Sequence, residues 1–429
     1  MLYPHLATND PEIHGMILNE LARRRHGFDM IPSENVTSVA VLEALGSILT
    51  DKYSEGYPGR RYYGGNEFID QIETLAQERA KKLFGVTHAN VQPYSGSPAN
   101  QAVYMALCSP GDTVLGMSLS YGGHLTHGLK VNFSGIYYNA QNYITDRDGI
   151  IDYKAMERTA KELKPKMIIC GATAYPRHID FARIATIARE IDAFLLADIS
   201  HIAGLVVADV HPSPVGHADV ITTTTHKTLR GPRGAMILCN GLPSNPLKAP
   251  PERTREHIPS LIDRAVFPGL QGGPHNHQTA AIAVALHEAA TPEFKLYGAQ
   301  VVKNAQTLAR VLLEKNCSLI TGGTDNHLLV MNVTTLGLTG AEAEKALGNA
   351  GMTVNKNTIP NDPRKPFDPS GIRFGTPSLT SRGIKENEME FIGECMYDAL
   401  THASDDAYLK SVRLKIETLA AQFVPYPEL

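Results

Sequence analysis

The sequence predicts an α/β fold, in which a mostly parallel sheet is covered by helices on both faces and is followed by a smaller α+β domain. The main indication is an alternation of short apolar runs with helical stretches, which is typical of parallel sheets. Six runs have the length and apolar content of buried strands: residues 89–95, 112–118, 165–172, 193–200, 219–225 and 234–240. The length of 429 residues suffices for two domains, and 43% hydrophobic with 20% charged residues is ordinary for a globular protein.

Helical periodicity predicts the elements that surround these strands. Apolar spacing over residues 11–27 predicts an amphipathic N-terminal helix that ends at Gly27. The same spacing over 66–85 predicts a second helix that stops at Gly85. Residues 181–193 form a third predicted helix, between two of the strands.

From about residue 295 the pattern changes. The elements predicted there are a long helix over 293–316, a strand over 327–333, a helix over 339–351, a strand over 371–377 and a final helix over 385–400. The helix over 339–351 begins with a Thr339/Glu342 capping box and has Gly351 past its end. We therefore expect three parts: a helical arm over 1–50, a large domain over 51–294 and a small α+β domain over 295–429.

Charge and cysteine content exclude several classes of protein. A net charge of -4 and a pI near 6.5 give no electrostatic reason to expect a nucleic acid or a membrane as partner. The start, MLYPHLATNDPEIHG, lacks the basic and apolar regions of a signal peptide, and no apolar run reaches membrane-spanning length. We therefore expect a cytoplasmic protein. Neither a disulfide framework nor a zinc site is indicated by the five scattered cysteines, Cys108, Cys170, Cys239, Cys317 and Cys395.

Two titratable side chains stand at the carboxyl ends of predicted strands. Asp198 ends the run AFLLAD, and Lys227 follows the threonines of TTTTHKTLRGPRG (222–234). In open α/β sheets ligands bind at this edge, so the pair has two interpretations, a reactive site or a buried structural ion pair. The segment YSGSPAN (94–100) runs from a strand into a helix, where hydroxyls and free N–H groups form an anion site or simply cap the helix.

Together these features match pyridoxal phosphate. This cofactor needs a phosphate cradle, a carboxylate that faces its pyridine nitrogen and a lysine that forms a Schiff base. Nucleotide cofactors are disfavoured because the sequence has no GxGxxG opening a helix after a strand and no GxxxxGK[ST]. No metal is expected, since HEAA (287–290) lacks the second histidine of a zincin motif and His275 with His277 has no evident third ligand.

Nine stretches of the chain resemble the serine hydroxymethyltransferase family, pyridoxal phosphate enzymes of fold type I (aspartate aminotransferase-like). They occur in the family's order and at nearly its spacing, over nearly the whole chain. The stretches are MIPSENVTS (30–38), KYSEGYPGRRYYGGNEFID (52–70), NVQPYSGSPAN (90–100), GGHLTHG (122–128), DISHIAGL (198–205), TTTTHKTLRGPRG (222–234), FPGLQGGP (267–274), TVNKNTIPND (353–362) and SGIRFGTP (370–377). The resemblance implies a mostly parallel, seven-stranded sheet in the large domain.

The resemblance also implies a cofactor site. Lys227 would form the Schiff base, and Asp198 would pair with the pyridine nitrogen. His201 would lie near the phenolic oxygen of the cofactor and the substrate carboxylate, and His124 would stack on the cofactor ring. The phosphate would be held by Ser95, Gly96 and Ser97, with His226 beside it.

Substrate roles follow from the same resemblance. Arg373 would clamp the substrate carboxylate through a bidentate fork, assisted by Ser33. Glu55 would keep its proton in a shielded site and hand it to the departing hydroxyl or to the folate. The catalytic set is completed by Tyr53, Tyr63 and Thr224.

The implied partners are small molecules and a second copy of the chain. Folate would rest against Leu119, Gly123 and Leu125, with Asn357 and Glu55 contacting the pterin. In the family, the loop that carries Glu55 reaches into the adjoining subunit. The resemblance therefore implies a homodimer, or a tetramer, with shared active sites to which the cofactor-binding residues Tyr53, Gly272 and Gly273 contribute.

The implied reaction transfers a one-carbon unit between L-serine and tetrahydrofolate and gives glycine and 5,10-methylenetetrahydrofolate. Two enzymatic alternatives stay open. An α-methylserine hydroxymethyltransferase, which gives alanine, would share every residue named above. A folate-independent threonine-type aldolase would need neither Asn357 nor the leucine wall. An RNA-binding or scaffold role would need a basic, aromatic-interleaved face, which the sequence lacks.

Three departures from the family pattern bear on the choice of substrate. Tyr121 stands where the family usually has histidine, and Pro32 replaces a common alanine before Ser33. Residues 242–263 are longer than in many bacterial members, and their prolines predict an irregular surface insert. Such changes would suit the α-methylserine enzyme.

Overall fold

The computed structural model describes residues 3–242 and 252–429, and these residues form two compact units. One unit is Ala40–Ala299, and the other joins Met1–Val39 with Gln300–Leu429. The predicted boundaries lay at residues 50 and 294, with the N-terminal arm as a separate part. The arm groups with the C-terminal unit because the strand Phe28–Asp29 pairs in parallel with Met352–Thr353, a long-range contact that local sequence does not reveal.

The larger unit is built on a mostly parallel sheet, as predicted, with seven strands in the described part of the chain. In spatial order they are His88–Asn90, Ala235–Cys239, Val220–Thr224, Phe194–Asp198, Met167–Cys170, Thr113–Met117 and Asn139–Tyr143. Ala235–Cys239 runs antiparallel to both of its neighbours, and the remaining pairs are parallel. The strand Asn139–Tyr143 did not figure among the six predicted runs. It is an edge strand with a largely uncovered, polar sequence, so it has no apolar run to detect.

Helices pack on this sheet. Buried residues of Gly96–Leu107, among them Val103 and Leu107, share one core with sheet residues such as Ile169 and Leu196. The predicted stop at Gly85 is confirmed, since this glycine ends its helix in the left-handed region at φ 70°. The helices are Val39–Leu45, Glu67–Phe84, Gly96–Leu107, Phe133–Ile136, Tyr153–Leu163, Phe181–Glu190, Ala203–Val207, Ile258–Arg264, Asn276–Ala289 and the long Pro292–Glu314, which continues past residue 299. A short hairpin pairs Gly56–Tyr57 with Arg60–Arg61.

The smaller unit has a four-stranded sheet in its described residues, in the order Ser318–Leu319, Leu328–Asn332, Gly371–Gly375 and Asn355–Asn357. Its capping box is confirmed: Thr339 Oγ1 accepts from the Glu342 N–H at 3.2 Å, and Glu342 Oε2 accepts from the Thr339 N–H at 2.8 Å. The unit's other helices are Pro4–Asn9, Pro11–Arg25, Gly340–Asn349, Pro377–Ser381, Glu386–Thr401 and Asp406–Ala420. The prediction that the helix over 385–400 is the last one in the chain is wrong, because the helix Asp406–Ala420 follows it.

The predicted irregular insert can be compared with the structure only in part. The predicted irregular insert, 242–263, lies in part outside the described residues, because 243–251 are not among them. Its last residues form the helix Ile258–Arg264 rather than an irregular segment.

No helix within 3–242 or 252–429 has the length and apolar character that crossing a membrane requires.

Candidate active site

Neighbouring strands bring the predicted carboxylate and lysine to one edge of the sheet. Asp198 is the last residue of Phe194–Asp198 and pairs in register with Thr222 on Val220–Thr224. Lys227 follows that second strand by three residues, and both side chains are buried. The parallel arrangement thus places both groups at the carboxyl ends of adjacent strands, where α/β sheets bind ligands.

The Asp198 carboxylate is surrounded by hydrogen-bond donors. Its Oδ2 accepts from Asn100 Nδ2 at 2.8 Å and from His127 Nε2 at 3.1 Å. Its Oδ1 accepts from the backbone N–H of Ser200 at 3.1 Å and from the Ser200 hydroxyl at 2.6 Å. Burial alone would raise the pKa of this carboxyl, but the hydrogen bonds from His127 and Ser200 outweigh it and hold the pKa well below its usual range. Asp198 is therefore an anion at neutral pH.

Two histidines beside Asp198 have defined proton positions. His127 Nδ1 accepts from the backbone N–H of His124 at 3.2 Å, so the ring proton lies on the Nε2 that donates to Asp198. Asn100 donates to Thr126 Oγ1 at 2.8 Å, which leaves that hydroxyl to donate to His124 Nδ1 at 2.8 Å. Burial and then the neighbouring His127 lower the pKa of His124 to about 4. The His124 ring is therefore neutral at pH 7, with its proton on Nε2.

Sequence reasoning missed most of this hydrogen-bonded network. The missed members are Asn100, Thr126, His127, Ser200 and Thr222, whose hydroxyl donates to Asn100 Oδ1 at 2.6 Å. A signal existed for His127, because it lies in the same GGHLTHG stretch as His124. Ligand atoms of His124, His127 and Asp198 lie within 4.8 Å of one another, a spacing that a metal ion could bridge. The hydrogen bonds of His127 to Asp198 and His124 already account for the position of that ring.

The proposed phosphate cradle lies at the start of Gly96–Leu107. Ser95 is the N-cap residue, and its hydroxyl makes no capping hydrogen bond. Ser95 and Ser97 are exposed. A Cβ at Gly96 would lie 2.7 Å from Thr224 Cγ2, so the helix start can approach the strand Val220–Thr224 this closely only with glycine. This is an arrangement of hydroxyls and helix N–H groups that fits an anion.

The residues around Lys227 are also consistent with a bound phosphorylated cofactor. His226 is partly buried, and its Nδ1 has no hydrogen-bond partner among the described residues. Burial, followed by the charges of Lys227 and Arg233, lowers the pKa of His226 to about 3, so the ring is a neutral group that can donate or accept. His201 is buried, and its carbonyl accepts from Thr228 Oγ1 at 2.9 Å. A buried orphaned nitrogen beside an amine, a fixed carboxylate and an anion cradle fits pyridoxal phosphate.

A second cluster of predicted residues forms around Glu55. The Tyr53 hydroxyl donates to Glu55 Oε1 at 3.2 Å, and the rings of Tyr53 and Tyr63 meet edge to face at 4.9 Å. The charge of Glu55 raises the pKa of Tyr53. A Cβ at Gly272 would lie 3.1 Å from Glu55 Oε1, and one at Gly273 would lie 3.2 Å from the Tyr53 ring. The two glycines thus leave room for the two side chains.

The two leucines of the predicted folate wall are solvent-accessible. Leu119 and Leu125 are 39% and 45% exposed. Between them lies Gly123, where a Cβ would be 2.0 Å from the Met117 carbonyl oxygen. Tyr121 ends the turn Leu119–Tyr121 and is half-buried.

Three predicted substrate residues belong to the smaller unit. Arg373 lies on Gly371–Gly375, and its Nε donates to Asn355 Oδ1 at 3.0 Å. Burial lowers the pKa of its guanidinium to about 10, which leaves it charged at neutral pH. Ser33 lies in a turn, and Asn357 Nδ2 donates to the Thr358 carbonyl at 2.7 Å. The roles of these three residues stay predictions.

The fold and the site define the class of protein. A mostly parallel seven-stranded sheet, with a fixed carboxylate, a lysine and an anion cradle at the carboxyl ends of its strands, is that of a fold type I pyridoxal phosphate enzyme.

Comparisons with known proteins identify the family. The family model described as serine hydroxymethyltransferase matches residues 6–396. A serine hydroxymethyltransferase of Desulfotalea psychrophila is 53% identical over 424 residues, covering 99% of this chain and 96% of its own. The serine hydroxymethyltransferase of Methanospirillum hungatei is 52% identical and covers 99% of this chain and 99% of its own. That of Acidothermus cellulolyticus is 54% identical and covers 96% of this chain and 93% of its own. The chain belongs to the serine hydroxymethyltransferase family.

Proposed function

We propose that this chain interconverts L-serine and tetrahydrofolate with glycine and 5,10-methylenetetrahydrofolate, using pyridoxal phosphate. The observation that carries the proposal is the buried Asp198 carboxylate, held by four hydrogen bonds at the sheet edge that also carries Lys227. The family membership and the similarity over nearly the whole chain support it independently.

Different residues of the larger unit would bind different parts of the cofactor. Asp198, kept ionised by its donors, would hold the pyridine nitrogen in its protonated form. Lys227 would bind the cofactor aldehyde, and His124 would cover the ring. The phosphate would be held by Ser95, Gly96, Ser97 and His226, with His201 and Thr224 lining the site. When bound, pyridoxal phosphate supplies an electron sink for the pair of electrons released at the substrate α-carbon.

Glu55 would move the proton of the transferred hydroxymethyl group. Its carboxylate accepts from Tyr53, and Tyr63 packs against Tyr53, so the three side chains form one unit. In its protonated form, the Glu55 carboxyl group would give a proton to the departing hydroxyl or to the folate. The exposed Leu119 and Leu125 would receive the apolar part of the folate, and Asn357 would contact the pterin.

Arg373 is expected to bind the substrate carboxylate. Replacement Arg373→Lys keeps the charge but loses the planar fork, so the apparent affinity for every amino-acid substrate should fall about tenfold to a hundredfold. Substrate titrations of the loaded enzyme measure this, with Arg364→Lys, an exposed arginine of the same unit paired with Asp368, as the control. Unchanged affinity in Arg373→Lys would move the carboxylate site elsewhere.

The catalytic unit is proposed to be a homodimer whose subunits share active sites, alone or within a tetramer, in the cytoplasm. Exposed apolar side chains support a partner surface on each unit. They are Ile13, Met16, Ile17 and Leu18 on the helix Pro11–Arg25 of the smaller unit, and Phe68 and Leu75 on the helix Glu67–Phe84 of the larger unit. Glu55, Tyr53, Gly272 and Gly273 would then act on the cofactor of the neighbouring subunit.

Subunit mixing tests the shared site. Glu55→Ala and Lys227→Ala homodimers should each be inactive in folate-dependent transfer. After random exchange, half the dimers are mixed and half the sites of each mixed dimer combine an intact Lys227 with an intact Glu55. The mixture should therefore regain at most about a quarter of wild-type activity. A mixture that exchanges subunits, verified by mass, yet stays inactive would place Glu55 in the site of its own chain.

The experiment that tests the function compares substrates side by side. Serine and α-methylserine are each assayed with and without tetrahydrofolate, and the products glycine and alanine are separated. We expect folate-dependent conversion of serine to glycine. Preferential formation of alanine would assign the α-methylserine reaction, and cleavage that ignores folate would assign an aldolase.

A further inference from the structure

One buried arginine anchors the loop that carries Glu55. Arg61 stands on the second strand of the hairpin, in register with Gly56, the residue that follows Glu55. Its Nη1 donates to the carbonyl of Ser54 at 2.8 Å and to the carbonyl of Gly56 at 2.9 Å. These two carbonyls lie on either side of Glu55, so one guanidinium group fixes the backbone before and after the proposed proton carrier.

The guanidinium is itself held from the helix Glu67–Phe84. Arg61 Nε donates to Asp70 Oδ1 at 2.8 Å, and Nη2 donates to Glu73 Oε2 at 2.6 Å. The side chains of Arg61 and Glu73 are only 4% and 2% exposed. Buried charges of this kind persist in proteins when they are paired and hydrogen-bonded, and removing one partner is strongly destabilising.

A glutamine joins the ion pair to the same loop. Gln92 Nε2 donates to Glu73 Oε1 at 2.8 Å and to the Gly56 carbonyl at 2.9 Å. The Gly56 carbonyl therefore receives two donors from two elements. The backbone at Gly56 also has little room, since its φ is 99° and a Cβ there would lie 2.3 Å from the Arg60 carbonyl oxygen.

We propose that Arg61, held by Asp70 and Glu73, is a positioning residue that fixes the direction of the Glu55 carboxylate. The inference rests on the proposed function, in which Glu55 moves a proton. Arg61 touches the backbone of Ser54 and Gly56 rather than the Glu55 carboxylate, so it acts through the loop. A misplacement of about 1 Å at a catalytic group can cost on the order of a hundredfold in rate.

The test is a double-mutant cycle. Arg61→Lys retains the charge but cannot reach both carbonyls and both carboxylates with one planar group. We expect kcat for folate-dependent transfer to fall about tenfold to a hundredfold, with cofactor content unchanged and little change in the KM for serine. In a Glu55→Gln background the same substitution should cost less than about twofold, because the group that it positions is already disabled. Arg60→Lys, on the exposed neighbour in the hairpin, is the matched control.

Hydrogen exchange gives a readout that does not need activity. The Tyr62 amide donates to the Glu55 carbonyl at 3.0 Å and should exchange faster in Arg61→Lys than in the wild type or in Arg60→Lys. Should Arg61→Lys fail to fold, Asp70→Asn weakens the more exposed of the two carboxylate contacts of Arg61, leaves the buried Glu73 in place, and should show the same pattern. An Arg61→Lys enzyme with the kcat and Tyr62 exchange of the control, or one whose loss of kcat is additive with Glu55→Gln, would overturn the proposal. A wild-type enzyme without folate-dependent transfer would instead refute the proposed function, while the exchange data would still report on the loop.

Discussion

Replacement of Asp198 by asparagine should reduce turnover by about a hundredfold to a thousandfold or more and weaken cofactor binding. The four contacts of the carboxylate all come from donors: Asn100, His127 and both donors of Ser200. An asparagine amide would direct its NH₂ group at one pair of these donors and leave buried groups unsatisfied. It would also lose the negative charge that is proposed to keep the pyridine nitrogen protonated, and loss of one preorganised electrostatic contact costs about that much in rate.

The measurement is turnover together with cofactor content in Asp198→Asn. A matched control is Asp219→Asn. Asp219 immediately precedes the strand Val220–Thr224, at the end opposite Lys227, and accepts from the Leu195 N–H at 2.8 Å and from Arg255. That variant should keep its cofactor and most of its turnover. Normal turnover in Asp198→Asn would show that another group faces the pyridine nitrogen.

Replacement of Lys227 by alanine should abolish covalent attachment of the cofactor and nearly all steady-state turnover. Lys227 is the amine proposed to bind the cofactor and to displace the product from it, so its loss should stop the enzyme after its first product is formed. The fold should survive, because the backbone around Lys227 is tied independently: Thr225 Oγ1 donates to the Pro232 carbonyl at 2.6 Å, and Thr228 Oγ1 to the His201 carbonyl at 2.9 Å. Noncovalent cofactor should remain detectable.

Steady-state and single-turnover assays of Lys227→Ala separate these effects. Lys295→Ala is the control, since Lys295 is an exposed lysine of the same unit, paired with Asp209 at 2.5 Å. It should match the wild type, because an exposed ion pair contributes little. Sustained turnover in Lys227→Ala would mean that another amine serves the reaction.

Much of the fold can be predicted from the apolar pattern of the sequence, and the elements that this pattern did not predict were missed for physical reasons. Buried strands such as Phe194–Asp198 are continuous apolar runs, so they are visible in the sequence. The edge strand Asn139–Tyr143 is polar and was missed. The grouping of residues 1–39 with the C-terminal unit depends on pairing of Phe28 with Met352, more than three hundred residues away in the chain.

The site was predictable in part for a similar reason. Asp198 and Lys227 could be predicted because strand ends meet at one sheet edge. The hydrogen bonds that fix Asp198 could not be predicted, since Asn100 and His127 come from a helix and a turn that only the tertiary fold brings to the carboxylate. Arg61 shows the same limit: its neighbours Asp70 and Glu73 are near in sequence, but nothing local indicates that their charges are buried together.

Reductive trapping tests the central claim, that the centre at the sheet edge is built around Lys227. The purified protein should be yellow with bound pyridoxal phosphate, and borohydride should bleach it and fix the cofactor to one lysine. Peptide mapping should find the reduced cofactor on the peptide that contains TTTTHKTLR, residues 222–230, at Lys227. Reduced cofactor on any other lysine, with Lys227 unmodified, would contradict the account.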